Sequence, residues 1–164
     1  TNVFRLYTLS THYRSPINFT DEILESYEKE WDKITRVYKA LFLKLDLEDG
    51  LYNNAKIDPD LLLIYKEFLT AMDNDFNTAN AITALQDLVK KANQMLRSKT
   101  ENDVLLSALK LFNDFFDVLG LKIEVTELSK DDKDVYLKWI KARKEKDFDS
   151  ADTYRDILSE KGII

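Results

Sequence analysis

Between Thr20 and Gly50 the chain carries a single apolar stripe: Ile23, Tyr27, Trp31, Ile34, Tyr38, Leu41 and Leu45, at spacings of three and four residues. Only an α-helix gathers such residues onto one side. A helix of that length with one apolar side must be covered by other elements. Thr20 is a good N-cap for it, and Asp21 and Glu22 suit the positive end of its dipole. No single helix keeps a heptad through its ends, so a bundle is expected rather than a sustained coiled coil.

The rest of the chain supplies the partners. Val3, Phe4, Leu6, Tyr7 and Leu9 start a helical pattern at once, and Thr1 is not an initiator, so the chain reads as part of something longer. Ser15-Pro16 closes that first helix, because the residue before proline is driven out of the α region. Asp58-Pro59 reads as an N-cap with a first-turn proline for a helix from Leu61 to Met72. After the polar break from Met72 to Thr78, Asn77 or Thr78 can cap a helix carrying Ile82, Leu85, Leu88, Val89, Ala92 and Leu96 on one side. A further helix from Glu101 to Leu119 points Leu105, Ala108, Leu111, Phe112, Phe115 and Leu119 inward, with Gly120 as its stop. Leu121 to Lys130 reads as a linker with a short extended piece, and two last helices span 132–145 and 148–161, with Gly162 ending the second. The three glycines all fall where helices should end. The expected fold is all-α: an antiparallel bundle of four or five helices over residues 1–128, then a small helical unit over 129–164.

Composition narrows the chemistry. There are no cysteines, which removes disulfides and thiolate metal sites, and His12 is the one histidine, too few for a catalytic triad or a His-rich metal site. No catalytic or metal-binding residue is therefore assigned. No apolar run is long enough to span a bilayer and no signal sequence opens the chain, which gives an expectation of a cytoplasmic protein without a membrane partner. The net charge of -6 opposes bulk nucleic-acid binding, yet the segment from Lys138 to Lys146 holds Lys138, Lys141, Arg143, Lys144 and Lys146 against Glu145 alone. Such a run is also what an ordinary solvated helix carries.

Three places merit closer reading. Asp73-Asn74-Asp75-Phe76-Asn77 alternates oxygen ligands, but a calcium loop needs glycine sixth and glutamate twelfth, and Thr78 and Ala84 stand there instead. The segment is expected to be a polar turn that caps a helix. In His12-Tyr13-Arg14-Ser15-Pro16, Arg14 has the planar fork to hold a phosphate or a carboxylate. In the last helix, Phe148, Asp152, Arg155 and Ser159 form a stripe separate from the inward Ala151, Tyr154, Ile157 and Leu158. An aromatic ring, a carboxylate and a guanidinium on one exposed side, just after a basic run, suit single-stranded bases: Phe148 to stack, Asp152 to accept from base amino groups, and Arg143 or Arg155 to donate. The plain structural alternative makes Phe148 a helix-start staple and Asp152–Arg155 an i, i+3 ion pair.

Three blocks resemble the C-terminal region of cysteinyl-tRNA synthetases, in that family's order and at about its spacing. They are Phe4 to Ser10 running into His12-Tyr13-Arg14-Ser15-Pro16-Ile17-Asn18-Phe19; Phe68 to Thr78; and Ala142 to Asp152 continuing through Arg155-Asp156-Ile157-Leu158 to Gly162-Ile163-Ile164. The resemblance implies the helical bundle called the DALR domain, followed by an anticodon-reading unit. It implies that the bundle braces tRNA(Cys) and that Arg143, Phe148 and Asp152 contact anticodon bases, with Phe148 where tryptophan is common. Lys138, Lys141, Lys146, Arg155 and Arg14 are further candidate tRNA contacts from local charge and helix geometry. The family's HIGH and KMSKS signatures, its nucleotide-binding fold and its zinc ligands are not in this sequence. They would lie upstream, in a catalytic domain of the same chain that uses ATP and zinc, and the family's tail beyond Gly-Ile-Ile is also missing. The region alone is not expected to activate cysteine. Two other readings differ in class: a helical protein-interaction module whose basic segment docks an acidic partner, and a ligase relative that uses cysteine without tRNA, which the block from Arg143 to Asp152 argues against.

Overall fold

The computed structural model describes residues 1–56 and 58–163. Among them are seven α-helices and no strand: α1 Asn2–Leu9, α2 Asp21–Leu47, α3 Pro59–Asp73, α4 Thr78–Arg97, α5 Asn102–Leu119, α6 Lys130–Glu145 and α7 Phe148–Glu160, with a 3₁₀ turn at Gly50–Tyr52. The chain divides into two compact units, residues 1–125 and 126–164. Among the described residues no helix is long and apolar enough to cross a membrane. Ile164, the last residue of the third sequence block, lies outside the described residues.

The helix starts follow from side-chain caps. The Thr20 hydroxyl accepts from the Ile23 N–H at 3.3 Å, and Asp58 accepts from Asp60 and Leu61 at 3.0 and 3.1 Å with Pro59 in the first turn. Asn77 accepts from Asn80 at 3.1 Å and opens α4, the capping turn expected there.

In the first unit, α2 packs on α1, α4 and α5, and α3 on α4 and α5. The stripe of α2 is used in two parts. Ile34, Tyr38, Leu41 and Leu45 are buried in the common core. Tyr27 and Trp31 are half-buried and meet single rings, Tyr27 against Tyr7 at 5.2 Å and Trp31 against Phe116 at 6.2 Å. All six residues expected inward on α5 are buried, and Phe115 stacks on Phe68 with ring centroids 3.9 Å apart. Leu121 is buried, and Ile123 and Val125 pack on the same core, so the first half of the expected linker is a strap over the bundle.

Gly50 does not end α2 as a left-handed cap. Asp49 takes that conformation, with φ 53°, and Gly50 begins the 3₁₀ turn instead. It is needed for space: a Cβ there would stand 2.9 Å from Leu45 Cδ2 and 3.1 Å from Asn102 Cβ. Gly120 does end α5 as expected, at φ 65°, with the Leu121 N–H returning to the Phe116 carbonyl at 2.9 Å.

The second unit is a hairpin of α6 and α7 around a small core of Ala142, Ala151 and Leu158. Its open end is tied by an ion pair between Asp132, at the start of α6, and Lys161, just past α7. The hydrogen bonds to Asp132 from Lys161 and then Ser129 hold its carboxyl below the usual range.

Candidate functional site

The closed end of the second unit carries Arg143, Lys146 and Phe148 of the sequence-assigned residues. α6 stops when Lys146 enters the left-handed region at φ 60°, and the Asp147 N–H returns to the Ala142 carbonyl at 3.0 Å. Asp147 then caps α7 through the Ser150 N–H at 3.3 Å, and hydrogen bonding from the Ser150 side chain, then from its backbone, holds the carboxyl below the ordinary range. A turn this short sets Arg143, in the last turn of α6, and Phe148, first in α7, on either side of one tight reversal. Asp152 follows one helical turn after Phe148.

All three side chains are exposed. The Phe148 ring is 69% exposed, so it is not a staple closing the helix start. Arg155 Nη1 lies 3.1 Å from Asp152 Oδ1, and Nη2 lies 3.4 Å from Asp156 Oδ1. The i, i+3 ion pair raised as the plain alternative is therefore formed. It coexists with an exposed stripe of Phe148, Asp152, Arg155 and Ser159.

The basic run does not lie on one side of α6. At ~100° per residue, Lys138 and Lys141 sit roughly 140–160° around the helix from Arg143. Lys141 Nζ is 3.9 Å from Glu145, a solvated pair. Lys138 and Lys146 are exposed. Arg143 turns instead onto its own helix, with its guanidinium carbon 4.9 Å from the centre of the Trp139 ring, which Tyr136 braces edge-on at 5.3 Å. Tyr136 and Trp139 are half-buried; burial raises the Tyr136 phenol above its ordinary range, and the Arg143 charge partly offsets this. Sequence reasoning overlooked Trp139. Its i, i+4 spacing to Arg143 was the available signal, because helical side chains lean toward the N-terminus and bring such pairs together.

Arg14 lies in the other unit. Its guanidinium is 3.7 Å from Asp75 and 5.1 Å from the Tyr13 ring centre, so it holds a carboxylate, one of its two expected uses. The Tyr13 hydroxyl donates to the same Asp75 at 2.8 Å, and this bond raises the phenol above its usual range. The junction at 12–16 and the turn at 73–78, separate blocks in the sequence, thus meet in the fold. Asp75 and Phe76 are both left-handed, at φ 54° and 51°, a costly conformation for residues with a Cβ. Among the described residues no group of three metal-binding side chains comes together, so the donor set for zinc is not found there.

The comparisons with known proteins match this architecture. Residues 67–124, from late α3 through α5 to the strap, match the DALR domain. The chain is 39% identical over 172 residues to the cysteine–tRNA ligase of Listeria welshimeri, covering 99% of this chain and 36% of that protein. It is 37% identical over 169 residues to the cysteine–tRNA ligase of Anoxybacillus flavithermus and 37% over 165 to that of Bacillus thuringiensis, each with 99% of this chain and 36% of the relative covered. The chain thus spans about a third of the length of the curated relatives it matches. The DALR match over about a third of the chain and the all-helical fold of the described residues agree with each other. Along 99% of its length the chain is similar to the C-terminal part of cysteine–tRNA ligases. The DALR match ends before α6, so the second unit is tied to the ligases by the full-length alignments alone.

Proposed function

We propose that this chain supplies tRNA affinity and anticodon reading to a cysteine–tRNA ligase, so that the whole enzyme can join cysteine to tRNA(Cys) in the cytoplasm. The reading is supported by an exposed guanidinium, aromatic ring and carboxylate, at Arg143, Phe148 and Asp152, on the two helices that flank the reversal at 146–147, in a chain that aligns with these ligases over 99% of its length. In this reading ATP and zinc serve the catalytic part of the ligase, upstream in the chain, and no step here passes through them.

The work of this region is binding. Phosphate contacts from Lys138, Lys141 and Lys146 orient the RNA but carry no sequence information. Phe148 stacks on an unpaired base, which is sequence-tolerant. Discrimination falls to Arg143, which donates to base edges, and to Asp152, whose Oδ2 accepts from a base amino group while Oδ1 is held by Arg155. Arg155 in this account aligns Asp152 and also adds charge near the RNA. Arg14 is paired with Asp75 and would meet a phosphate, in the region the bundle braces, through the donors that pair does not use.

The test is filter binding of variants to tRNA with the cysteine anticodon and to a copy with a changed anticodon. Arg143→Ala and Asp152→Ala should lose affinity chiefly for the first, narrowing the ratio between the two. Lys138→Ala and Lys141→Ala should weaken both alike and reduce the salt slope by about one each. If all four variants behave alike, the assignment of base and phosphate contacts is wrong. Tight binding to an acidic protein, with weak and salt-insensitive RNA binding, would instead favour a protein-docking module.

A further inference from the structure

The three arginines assigned to RNA are held in different ways. Arg155 gives nitrogens to two carboxylates, and Arg14 is beside Asp75. Arg143 has no ion pair among the described residues, and its guanidinium carbon lies 4.9 Å from the centre of the Trp139 ring, within cation–π distance. Stacking uses the π surface and leaves the N–H edge free, whereas a carboxylate partner takes up that edge. An arginine meant to recognise a base needs both a fixed plane and unused donors.

We propose that Trp139 is a positioning residue for anticodon recognition: it holds the Arg143 guanidinium in place so that its N–H edge meets a base already oriented. This rests on the reading of Arg143 as a base contact and adds the device that makes it selective. Trp139 is itself fixed. Tyr136 closes on it at 5.3 Å with the planes at 71°, and both rings are half-buried in the second unit. The helix places Tyr136, Trp139 and Arg143 within about 60° of one another, so the stack needs no element beyond α6. A lysine at 143 could not replace the planar contact, and an aliphatic residue at 139 would leave the arginine to sample many rotamers.

The experiment compares Trp139→Phe, Trp139→Leu, Arg143→Ala and the double variant Trp139→Leu/Arg143→Ala. In the free chain, the Arg143 side-chain methylene resonances should be shifted upfield by the indole ring. The shift should shrink in Trp139→Phe and vanish in Trp139→Leu. In binding, Trp139→Leu should lower the preference for the cysteine anticodon about two- to five-fold, as expected for an exposed cation–π contact. Trp139→Phe should keep most of the preference, and the Leu substitution should add no loss on the Arg143→Ala background. If Arg143→Ala removes the preference but Trp139→Leu does not, the positioning role is refuted and the base contact stands. If the loss from Trp139→Leu persists in the double variant, Trp139 acts on the RNA or the fold directly, which also refutes it. If Arg143→Ala leaves the preference untouched, the base contact itself fails and the positioning role falls with it.

Discussion

Phe148→Ala separates binding from folding in the second unit. The ring is 69% exposed, so roughly a third of its surface is covered. Taking about 200 Å² for a Phe side chain, about 60 Å² is lost from the folded contacts, worth at most about 1.5 kcal/mol. Stacking on a base is worth about 1–3 kcal/mol, or roughly 5- to 150-fold in affinity. Leu158, fully buried, provides the contrast, since Leu→Ala in a core costs about 2–5 kcal/mol. The two units need not unfold together, so stability should be followed in a Trp31→Phe background, where Trp139 alone reports the second unit. Affinity should be read by anisotropy of a labelled hairpin presenting the cysteine anticodon. Phe148→Ala should stay folded and bind far more weakly, and Phe148→Trp should bind at least as tightly as the parent. A folded Phe148→Ala chain with unchanged affinity would refute stacking. A loss of stability as large as that of Leu158→Ala would show that the ring belongs to the core.

Two further outcomes follow from the ends of the hairpin. Lys146 bears a Cβ in the left-handed region, so Lys146→Gly should stabilise the second unit by about 1 kcal/mol in urea unfolding, while weakening RNA binding similarly for every anticodon. The carboxyls of Asp132 and Asp147 are lowered from 3.8 by their hydrogen bonds to Lys161, Ser129 and Ser150, so their stabilising effect is complete above that value and is lost as pH falls through the lowered folded values. Unfolding followed from pH 6 to pH 2 should show the second unit weakening below about pH 4, and Asp132→Asn with Asp147→Asn should flatten that slope.

The bundle was legible in the sequence because its signals are local. Thr20, Asp58-Pro59 and Asn77 are caps whose effect reaches only three residues, and the stripes of α2, α4 and α5 are periodic over many turns. The candidate site was legible in part for the same reason: the exposed stripe on α7 follows from helix geometry. What escaped depends on side-chain direction or on contacts distant in sequence. The lean of Arg143 onto Trp139 is a matter of rotamers, and the bond from Tyr13 to Asp75 spans 62 residues. Gly50 was misread because a glycine after a helix resembles a left-handed stop, whereas here a Cβ would press on Leu45 and Asn102.

The most direct measurement of the central claim is binding of the unaltered chain to tRNA with the cysteine anticodon, titrated over salt beside a copy with one anticodon base changed. The account predicts that both affinities fall steeply as salt rises, while a preference for the cysteine anticodon persists across the series. Equal binding to both RNAs at every salt concentration would contradict an anticodon reader on Arg143, Phe148 and Asp152.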